Sequence, residues 1–299
     1  MISPPKTNCQ MTSSRKDTNS TRPQRWAAAP VALALLIAST SVRAAAPGDQ
    51  EILVFAATSL RESFEALVPL FEKAHAGAKV RLNLAGSQEL RTQIEQGARA
   101  DVFASADFKN MATLGHQSLV KAPVTFARNQ PVIVVPRGNP LRIRALTDLP
   151  RAKRLVIGAP EVPIGGYTVK ILEAAAKKYG DAFRAKVEAN VVSRELNVRQ
   201  VLAKVTLGEA DAGIVYRTDA QAGKDKVEVV TIPPEVNVQA EYPIAALIAS
   251  QQPALAEAWM QLVLSPAGQQ KLTAAGFSTP AATTSAPVPG KGPPQVPAP

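Results

Sequence analysis

Hydrophobic and polar positions switch repeatedly between two periods along the chain, which predicts strands followed by helices. Residues 51–57 are an apolar run of strand length, and the next segment repeats apolar residues at helical spacing from Leu60 to Phe71. The eight predicted strands lie at residues 51–57, 79–86, 100–107, 131–138, 154–163, 186–193, 211–216 and 242–250. The predicted helices lie at residues 59–76, 87–97, 167–179, 197–210, 253–264 and 266–275.

This alternation predicts an α/β fold. Strands that alternate with helices of this length are typical of βαβ units, which form mostly parallel sheets with helices on both faces. Eight strands in this order fit two lobes better than one sheet. The apolar runs at 131–138 and 242–250 separate blocks of βα units, so we expect them to be crossover strands. We therefore place one lobe at residues 50–130 plus 236–280 and a second lobe at residues 131–235.

The two ends of the chain differ in composition from the part between them. Residues 1–46 contain a basic leader, a short apolar run and three consecutive alanines at 44–46, which is the order of a secretory signal peptide. The apolar run is too short for a permanent membrane anchor, although an uncleaved anchor is an alternative. Residues 281–299 contain six prolines and no hydrophobic period, which predicts a disordered or polyproline-like tail.

The positive charge of the chain is concentrated at its start. The chain has 299 residues, with 34 Lys and Arg against 24 Asp and Glu, and a net charge of +10. Six basic residues and one acidic residue lie within residues 1–46, so half of the excess leaves with the signal peptide. The remainder indicates no nucleic-acid partner. Cys9 leaves too, so the mature chain has no thiol, and we expect it in an exported compartment, most simply the bacterial periplasm.

Small or hydroxyl-bearing residues stand at four junctions where a predicted strand passes into a helix. They are Thr58 and Ser59, Gly86 and Ser87, the run Pro163, Ile164, Gly165 and Gly166, and Asn197 with Val198. Helix starts present free backbone N–H groups and a partial positive charge, so several starts around one cleft would bind an anion without Lys or Arg. Each junction also has an ordinary explanation. Ser59, Ser87 and Asn197 fit N-caps, Gly165-Gly166 fits a turn, and Tyr216 fits a packing role at a strand end.

Five sequence blocks together resemble the molybdate-binding proteins of bacterial ABC importers, known as the ModA type. The blocks are FAATSL, LAGSQELRTQIEQGARADVFASAD, PEVPIGGY, ELNVRQVLAKV and GEADAGIVYRTDA. One block alone is weak evidence, whereas five in the family's order are specific. The resemblance covers residues 51–280. It implies the two-lobed type II periplasmic-binding-protein fold, with mixed, mostly parallel sheets and helices on both faces, in agreement with the lobes predicted from the pattern.

The resemblance also implies a ligand set that comes from both lobes. Ser59 and Ser87 match the family's two ligand serines on the first lobe. Ile164 stands where many members have alanine; it and Val198 would contribute backbone N–H groups, and Tyr216 would contribute its hydroxyl. The implied ligand is molybdate or tungstate, an oxyanion that carries no proton at neutral pH and therefore needs donors only. Molybdenum would be bound only within this oxyanion, through the same residues.

These implications define an exported solute-binding protein. It would capture molybdate, and tungstate as well, and present it to a membrane permease driven by a cytoplasmic ATPase. We expect a monomer with no cofactor and no catalytic residue. Two alternatives stay open: a receptor for another tetrahedral oxyanion such as sulfate, and an exported hydrolase or transferase on the same fold. The sequence contains no G-x-S-x-G, H-E-x-x-H, Walker or Rossmann motif, which argues against an enzyme.

Other charged residues have less specific interpretations. Three arginines lie near the junctions: Arg61, Arg194 and Arg199. We interpret them as exposed, solvated side chains, with steering of an anion as the alternative. Asp101 and Asp107 are interpreted as caps or as anchors between the lobes. His75 and His116 are isolated from each other and from any carboxylate pair, so no metal or catalytic role is assigned to them.

Overall fold

A computed structural model of the protein describes residues 50–280. Within these residues, ten strands form two sheets and nine α-helices pack on them. The strands are β1 Gln50–Ala57, β2 Ala78–Ala85, β3 Val102–Ala104, β4 Val124–Asn129, β5 Pro131–Pro136, β6 Leu155–Gly158, β7 Val191–Glu195, β8 Ala212–Tyr216, β9 Val227–Thr231 and β10 Ala240–Ala246. The helices are α1 Arg61–Ala74, α2 Ser87–Glu95, α3 Phe108–His116, α4 Pro163–Tyr179, α5 Asp181–Ala189, α6 Val198–Thr206, α7 Arg217–Ala222, α8 Pro253–Leu264 and α9 Pro266–Ala274.

The two sheets have the same topology. The first sheet has the order β2-β1-β3-β10-β4, and the second has the order β7-β6-β8-β5-β9. In each sheet four strands share one direction, and one strand, β10 or β5, pairs antiparallel with both of its neighbours. These two strands are the predicted crossover strands: the chain enters the second sheet through β5 and returns to the first through β10. The predicted mixed, mostly parallel sheets are therefore confirmed.

Helices cover both faces of the first sheet because its strands send apolar side chains to both sides. On one face, Phe64 of α1 packs edge-on against Trp259 of α8, with ring centroids 5.5 Å apart. On the other face, Phe55 and Phe103 form a second buried cluster with Leu90 of α2. With both faces covered, the carboxyl ends of the strands are where loops and helix starts are free to form a site.

Helix α4 begins at Pro163, four residues before its predicted start. Proline is favourable at the first helical position because its missing N–H has no acceptor there and its fixed φ suits a helix. Gly165 lies in the first turn, where a β-carbon would stand 1.9 Å from the carbonyl oxygen of Ala159. The prediction of a turn at Gly165-Gly166 is wrong, because this segment is the first turn of α4.

The predicted strand at residues 186–193 is wrong in its first half. Helix α5 extends to Ala189, and only the residues from Val191 onward form β7. The pattern of apolar and polar residues is too short here to distinguish the period of a strand from that of a helix. Two helices, α3 and α7, and two strands, β4 and β9, lie in segments for which no element was predicted.

The predictions for the signal peptide and the proline-rich tail concern residues 1–46 and 281–299, which lie outside the described range. Between residues 50 and 280, no helix is both long enough and apolar enough to cross a bilayer.

Candidate functional site

Loops that follow three strands of each sheet line one small cavity. The space between its walls, together with its opening to solvent, is about 210 Å³. Its lining residues are Ala57, Thr58, Ser59, Ala85, Gly86, Ser87, Ala106, Val162, Pro163, Ile164, Asn197, Val198 and Tyr216. The set includes all five residues of the predicted ligand set. The structure therefore brings together residues from four separate junctions and from the end of β8.

Ser59 lies in a 3-10 turn, Thr58–Leu60, between β1 and α1. Its side chain is buried, and its Oγ is 2.9 Å from the hydroxyl oxygen of Tyr242 on β10. The N-cap of α1 is Leu60, and no side chain caps this helix. The N-cap interpretation of Ser59 is therefore wrong, and its hydroxyl lies between Tyr242 and the cavity.

Ser87 is the first residue of α2 and not its N-cap, which is Gly86. The Ser87 Oγ accepts a hydrogen bond of 3.0 Å from the backbone N–H of Ala106, in the loop after β3. Glycine is required at position 86, because a β-carbon there would stand 2.5 Å from the carbonyl oxygen of Leu196. Asn197, by contrast, does cap α6 with its side chain. The two serines thus differ from Asn197, because neither hydroxyl is used to cap a helix.

Ile164 and Val198 bring helix starts from the second sheet to the cavity. Ile164 lies in the first turn of α4 and Val198 is the first residue of α6. Backbone N–H groups in the first turn have no intrahelical acceptor, and the helix dipole places a partial positive charge there. Both side chains are buried. The donors at these two positions belong to the backbone and do not depend on the side chain.

Tyr216 ends β8 and places a hydroxyl in a buried position. Its side chain is 1% exposed, and its Oη has no hydrogen-bond partner among the described residues. Burial raises the pKa of this hydroxyl well above its ordinary value, so it keeps its hydrogen. The ring packs edge-on against Tyr167 and Tyr242, with centroids 6.3 and 5.8 Å away. A buried hydroxyl without a partner costs about 1–3 kcal/mol, a cost that a bound acceptor would remove.

The cavity is rich in donors and contains no ionised side chain. None of its lining residues is an Asp, Glu, Lys or Arg. Hydroxyl groups and helix-start N–H groups can each give a hydrogen to an anion, and in a buried site such bonds are stronger than in water. The arrangement is suited to a small anion with several oxygen atoms and no proton of its own.

Arg199 connects helices of the two sheets beside the cavity. Its Nη1 donates to Oε1 of Glu62 on α1 over 2.8 Å, and its Nε lies 2.7 Å from Oδ1 of Asp219 on α7. Burial raises the pKa of Asp219 to about 6, although the guanidinium beside it acts in the opposite direction. Gln88 on α2 makes a second connection, donating to the carbonyl oxygen of Leu196 over 2.7 Å. The interpretation of Arg199 as a solvated arginine is wrong, because two carboxylates hold it and its side chain is only 20% exposed.

The two aspartates have structural roles within the first sheet. Asp107 is the N-cap of α3 and accepts a hydrogen bond from the N–H of Asn110. Asp101 is fully buried and accepts from the N–H of Leu53 and the hydroxyl of Ser250, so it joins β1 to the segment after β10. The interpretation of Asp101 as an anchor between the lobes is therefore wrong. In residues 50–280, no group of three or more His, Cys, Asp or Glu side chains is placed to hold a metal ion.

The sequence analysis did not identify Tyr242 and Asn129, which connect to Ser59 on the side away from the cavity. Tyr242 contacts Ser59, and Asn129 on β4 lies behind Tyr242, with 3.5 Å between the Asn129 Nδ2 and the Tyr242 Oη. Tyr242 was included only in the predicted apolar strand, and Asn129 had no predicted element. The one signal available is position: Tyr242 begins the apolar run at 242–250, and Asn129 lies just before the apolar run at 131–138. That signal gives no partner, because 183 positions separate Ser59 from Tyr242.

Comparison with known sequences identifies related proteins over most of the chain. The family model described as bacterial extracellular solute-binding protein matches residues 52–278. The molybdate-binding protein ModA of Mycobacterium tuberculosis is 40% identical over 235 residues, which is 78% of this chain and 86% of that protein. The molybdate-binding protein ModA of Escherichia coli is 33% identical over 210 residues, or 67% of this chain and 78% of that protein.

Solved structures share the fold at lower identity. The periplasmic molybdate-binding protein of Azotobacter vinelandii has a TM-score of 0.67 and 22% identity, covering 77% of this chain and all 100% of that one. The sulfate-binding protein SubI of Mycobacterium tuberculosis has a TM-score of 0.69 and 21% identity, covering 77% and 87%. At these identities the likeness concerns the fold. It confirms the two-lobed α/β fold of periplasmic binding proteins.

Proposed function

Because the chain belongs to the bacterial extracellular solute-binding proteins, and among them to the ModA family, we propose that it captures molybdate in the cavity between its two sheets. The bound oxyanion is then delivered to an ABC importer. Tungstate has the same shape and charge, so it is expected to bind as well. Proteins of this family bind solutes for transport, and the proposal includes no chemical step on the ligand.

The donor set of the cavity is the observation that carries this proposal. Hydroxyls of Ser59, Ser87 and Tyr216 and the N–H groups of Ile164 and Val198 surround one small space. Hydrogen bonds to a charged group contribute about 1.5–3 kcal/mol each, which offsets desolvation of the dianion and the cost of closing the lobes. With no carboxylate in the lining, an oxyanion that carries a proton finds no ionised acceptor.

The proposal includes a division into two lobes and an exported, monomeric chain. We place the first lobe at residues 50–130 plus 236–280 and the second at residues 131–235, so that the chain crosses between the lobes at β5 and β10.

The signal peptide, residues 1–46, is removed on export to the periplasm. The intact mass of the exported protein is expected to show loss of the first 44–46 residues. Retention of Cys9 would contradict this part of the proposal.

Titration calorimetry of the exported protein with molybdate, tungstate, sulfate and phosphate tests the ligand. We expect submicromolar binding of molybdate and tungstate, which is a binding free energy of about −8 kcal/mol or stronger. Phosphate, which carries a proton at neutral pH, is expected to bind at least about 100-fold more weakly, since its proton has no ionised acceptor. Tight binding of sulfate alone, or of none of the four anions, would refute the proposal.

A further inference from the structure

We propose that Tyr242, oriented by Asn129, is a positioning residue that directs the hydroxyl hydrogen of Ser59 into the cavity and so favours oxyanions without a proton. This inference rests on the proposed function and deepens it, because it names residues that determine which protonation state of an oxyanion is bound. Neither Tyr242 nor Asn129 lines the cavity. Their effect on the ligand is exerted through Ser59.

The direction of the hydrogen bonds is first fixed at Asn129. Its Oδ1 accepts from the backbone N–H of Gln130 over 2.9 Å, so the side-chain amide has one orientation. The Nδ2 group then donates to the Thr218 hydroxyl over 2.9 Å and lies 3.5 Å from the Tyr242 Oη. An amide nitrogen donates and does not accept. The Tyr242 oxygen is therefore the acceptor on this side, and its own hydrogen is available for another partner.

That partner is Ser59. The Tyr242 Oη is 2.9 Å from the Ser59 Oγ, and both side chains are buried. Among the described residues, Ser59 is the one acceptor within hydrogen-bond distance of the buried Tyr242 hydroxyl, so Tyr242 donates to Ser59; the opposite direction would leave the Tyr242 hydrogen without an acceptor. The Ser59 oxygen thus accepts from inside the protein, and its hydrogen cannot be given back to Tyr242. Because Ser59 lines the cavity, the hydrogen is directed there.

Ser87 has the same polarity through an independent contact. Its Oγ accepts from the backbone N–H of Ala106, and a backbone N–H cannot reverse its role. Both serines therefore accept one hydrogen bond from the protein and direct their hydrogen outward. An oxygen of the ligand that carries a proton would meet a hydrogen at either serine. A serine that accepts this proton must turn its own hydrogen away from that ligand oxygen, which is unfavourable in a buried site unless another acceptor takes the hydrogen.

The experiment compares molybdate with phosphate at pH 8, where both are dianions but only phosphate carries a proton. Displacement calorimetry is done on the exported protein and on Tyr242→Phe, which keeps the ring and removes the donor. Molybdate affinity is expected to fall about tenfold, as for the loss of one ordered donor. Phosphate affinity is expected to stay or to rise, so that the ratio of the two affinities falls at least tenfold.

A double-mutant cycle separates positioning from packing. Ser59→Ala is expected to weaken molybdate binding strongly in the unmodified protein and at most about threefold in the Tyr242→Phe background, because the hydrogen is no longer aimed there. Tyr179→Phe is the matched control. It removes a hydroxyl at the far end of α4, about 24 Å along the helix from the cavity, and is expected to leave both affinities unchanged.

A second variant inverts the polarity. Asn129→Asp replaces the amide donor with an acceptor, so Tyr242 would donate to the carboxylate and Ser59 to Tyr242. The added charge repels both dianions, and the affinity ratio therefore isolates the hydrogen-bond direction. We expect the ratio of molybdate affinity to phosphate affinity to fall further in Asn129→Asp than in Tyr242→Phe.

Three results would overturn the proposal in different ways. Unchanged affinities for both molybdate and phosphate in both variants would exclude the positioning role. If Tyr242→Phe lowers the affinities for molybdate and phosphate equally, and if this loss adds to that of Ser59→Ala, the effect is one of packing instead. If the unmodified protein binds no molybdate, the proposed function itself fails, whereas normal molybdate binding with an unchanged ratio removes only this inference.

Discussion

The two sides of the cavity supply the same kind of donor by different means. On the first-sheet side, the available donors are the hydroxyls of Ser59 and Ser87. The Tyr242 hydroxyl contacts the first, and the Ala106 N–H contacts the second. On the second-sheet side, Ile164 and Val198 offer backbone N–H groups at helix starts. The first kind depends on residue identity and the second on helix geometry. Substitutions should therefore act asymmetrically across the cleft.

The largest effect is expected on the first side. In the proposed site, Ser87→Ala removes a donor to the ligand, and it also deprives the Ala106 N–H of its acceptor. The loss in molybdate binding is expected to be about 2–3 kcal/mol, or roughly 30- to 150-fold. Titration calorimetry measures it, and thermal unfolding shows whether the fold persists.

Ser63→Ala is the matched control for this serine substitution. Ser63 is also buried near a helix start, but its hydroxyl donates to the Leu60 carbonyl and does not line the cavity. Its affinity for molybdate is expected to be that of the unmodified protein. Equal affinities for Ser87→Ala and Ser63→Ala would remove Ser87 from the site.

An intermediate effect is expected where a backbone donor on the second side is removed. Val198→Pro deletes one N–H at the first position of α6, where proline is compatible with the helix, and the extended Asn197 before it suits a following proline. Molybdate affinity is expected to fall about tenfold. Val198→Ala keeps the N–H and should change affinity by less than about twofold. If both variants bind alike, the backbone donor is not used.

A smaller effect is expected at the ion pair beside the cavity. Glu62→Gln weakens the contact with Arg199 that joins α1 to α6, and should lower affinity about two- to fivefold by disfavouring the closed form. Glu65→Gln is matched to it, because Glu65 pairs with Arg61 on the same helix and connects no second element. The effect of Glu62→Gln should shrink at high salt. An equal effect of both variants would show that only net charge matters.

No pH effect is expected from either side between about pH 7 and 9. Burial raises the pKa values of the Tyr216 and Tyr242 hydroxyls well above their ordinary range. A raised tyrosine pKa keeps the neutral, hydrogen-donating form at higher pH, and serine hydroxyls and backbone N–H groups do not titrate there. Molybdate affinity measured across this range should be flat. A tenfold loss per pH unit would identify a titrating donor.

Local sequence was sufficient for much of the fold and for the four junctions that line the cavity, whereas the ligand set of five residues came from the family resemblance and stays a prediction. Most predicted elements are confirmed, since apolar periods over a dozen residues specify which face is buried. The junctions could be found because each lies where a predicted strand passes into a predicted helix. The errors came where local signals were short, as in α5 and β7, or where proline and glycine fit both a turn and a helix start, as at Pro163 and Gly165.

The sequence by itself determined the alternation of strands and helices, the crossover strands and the donors that the junctions offer. Only the tertiary structure decided which groups contact the two serines. Insertion of β10 between β3 and β4 places Tyr242 against Ser59, and packing of the loop after β3 on α2 places the Ala106 N–H against Ser87. A hydrogen bond depends on the distance and orientation of two atoms, and residues so far apart along the chain acquire both only when the sheet order is set.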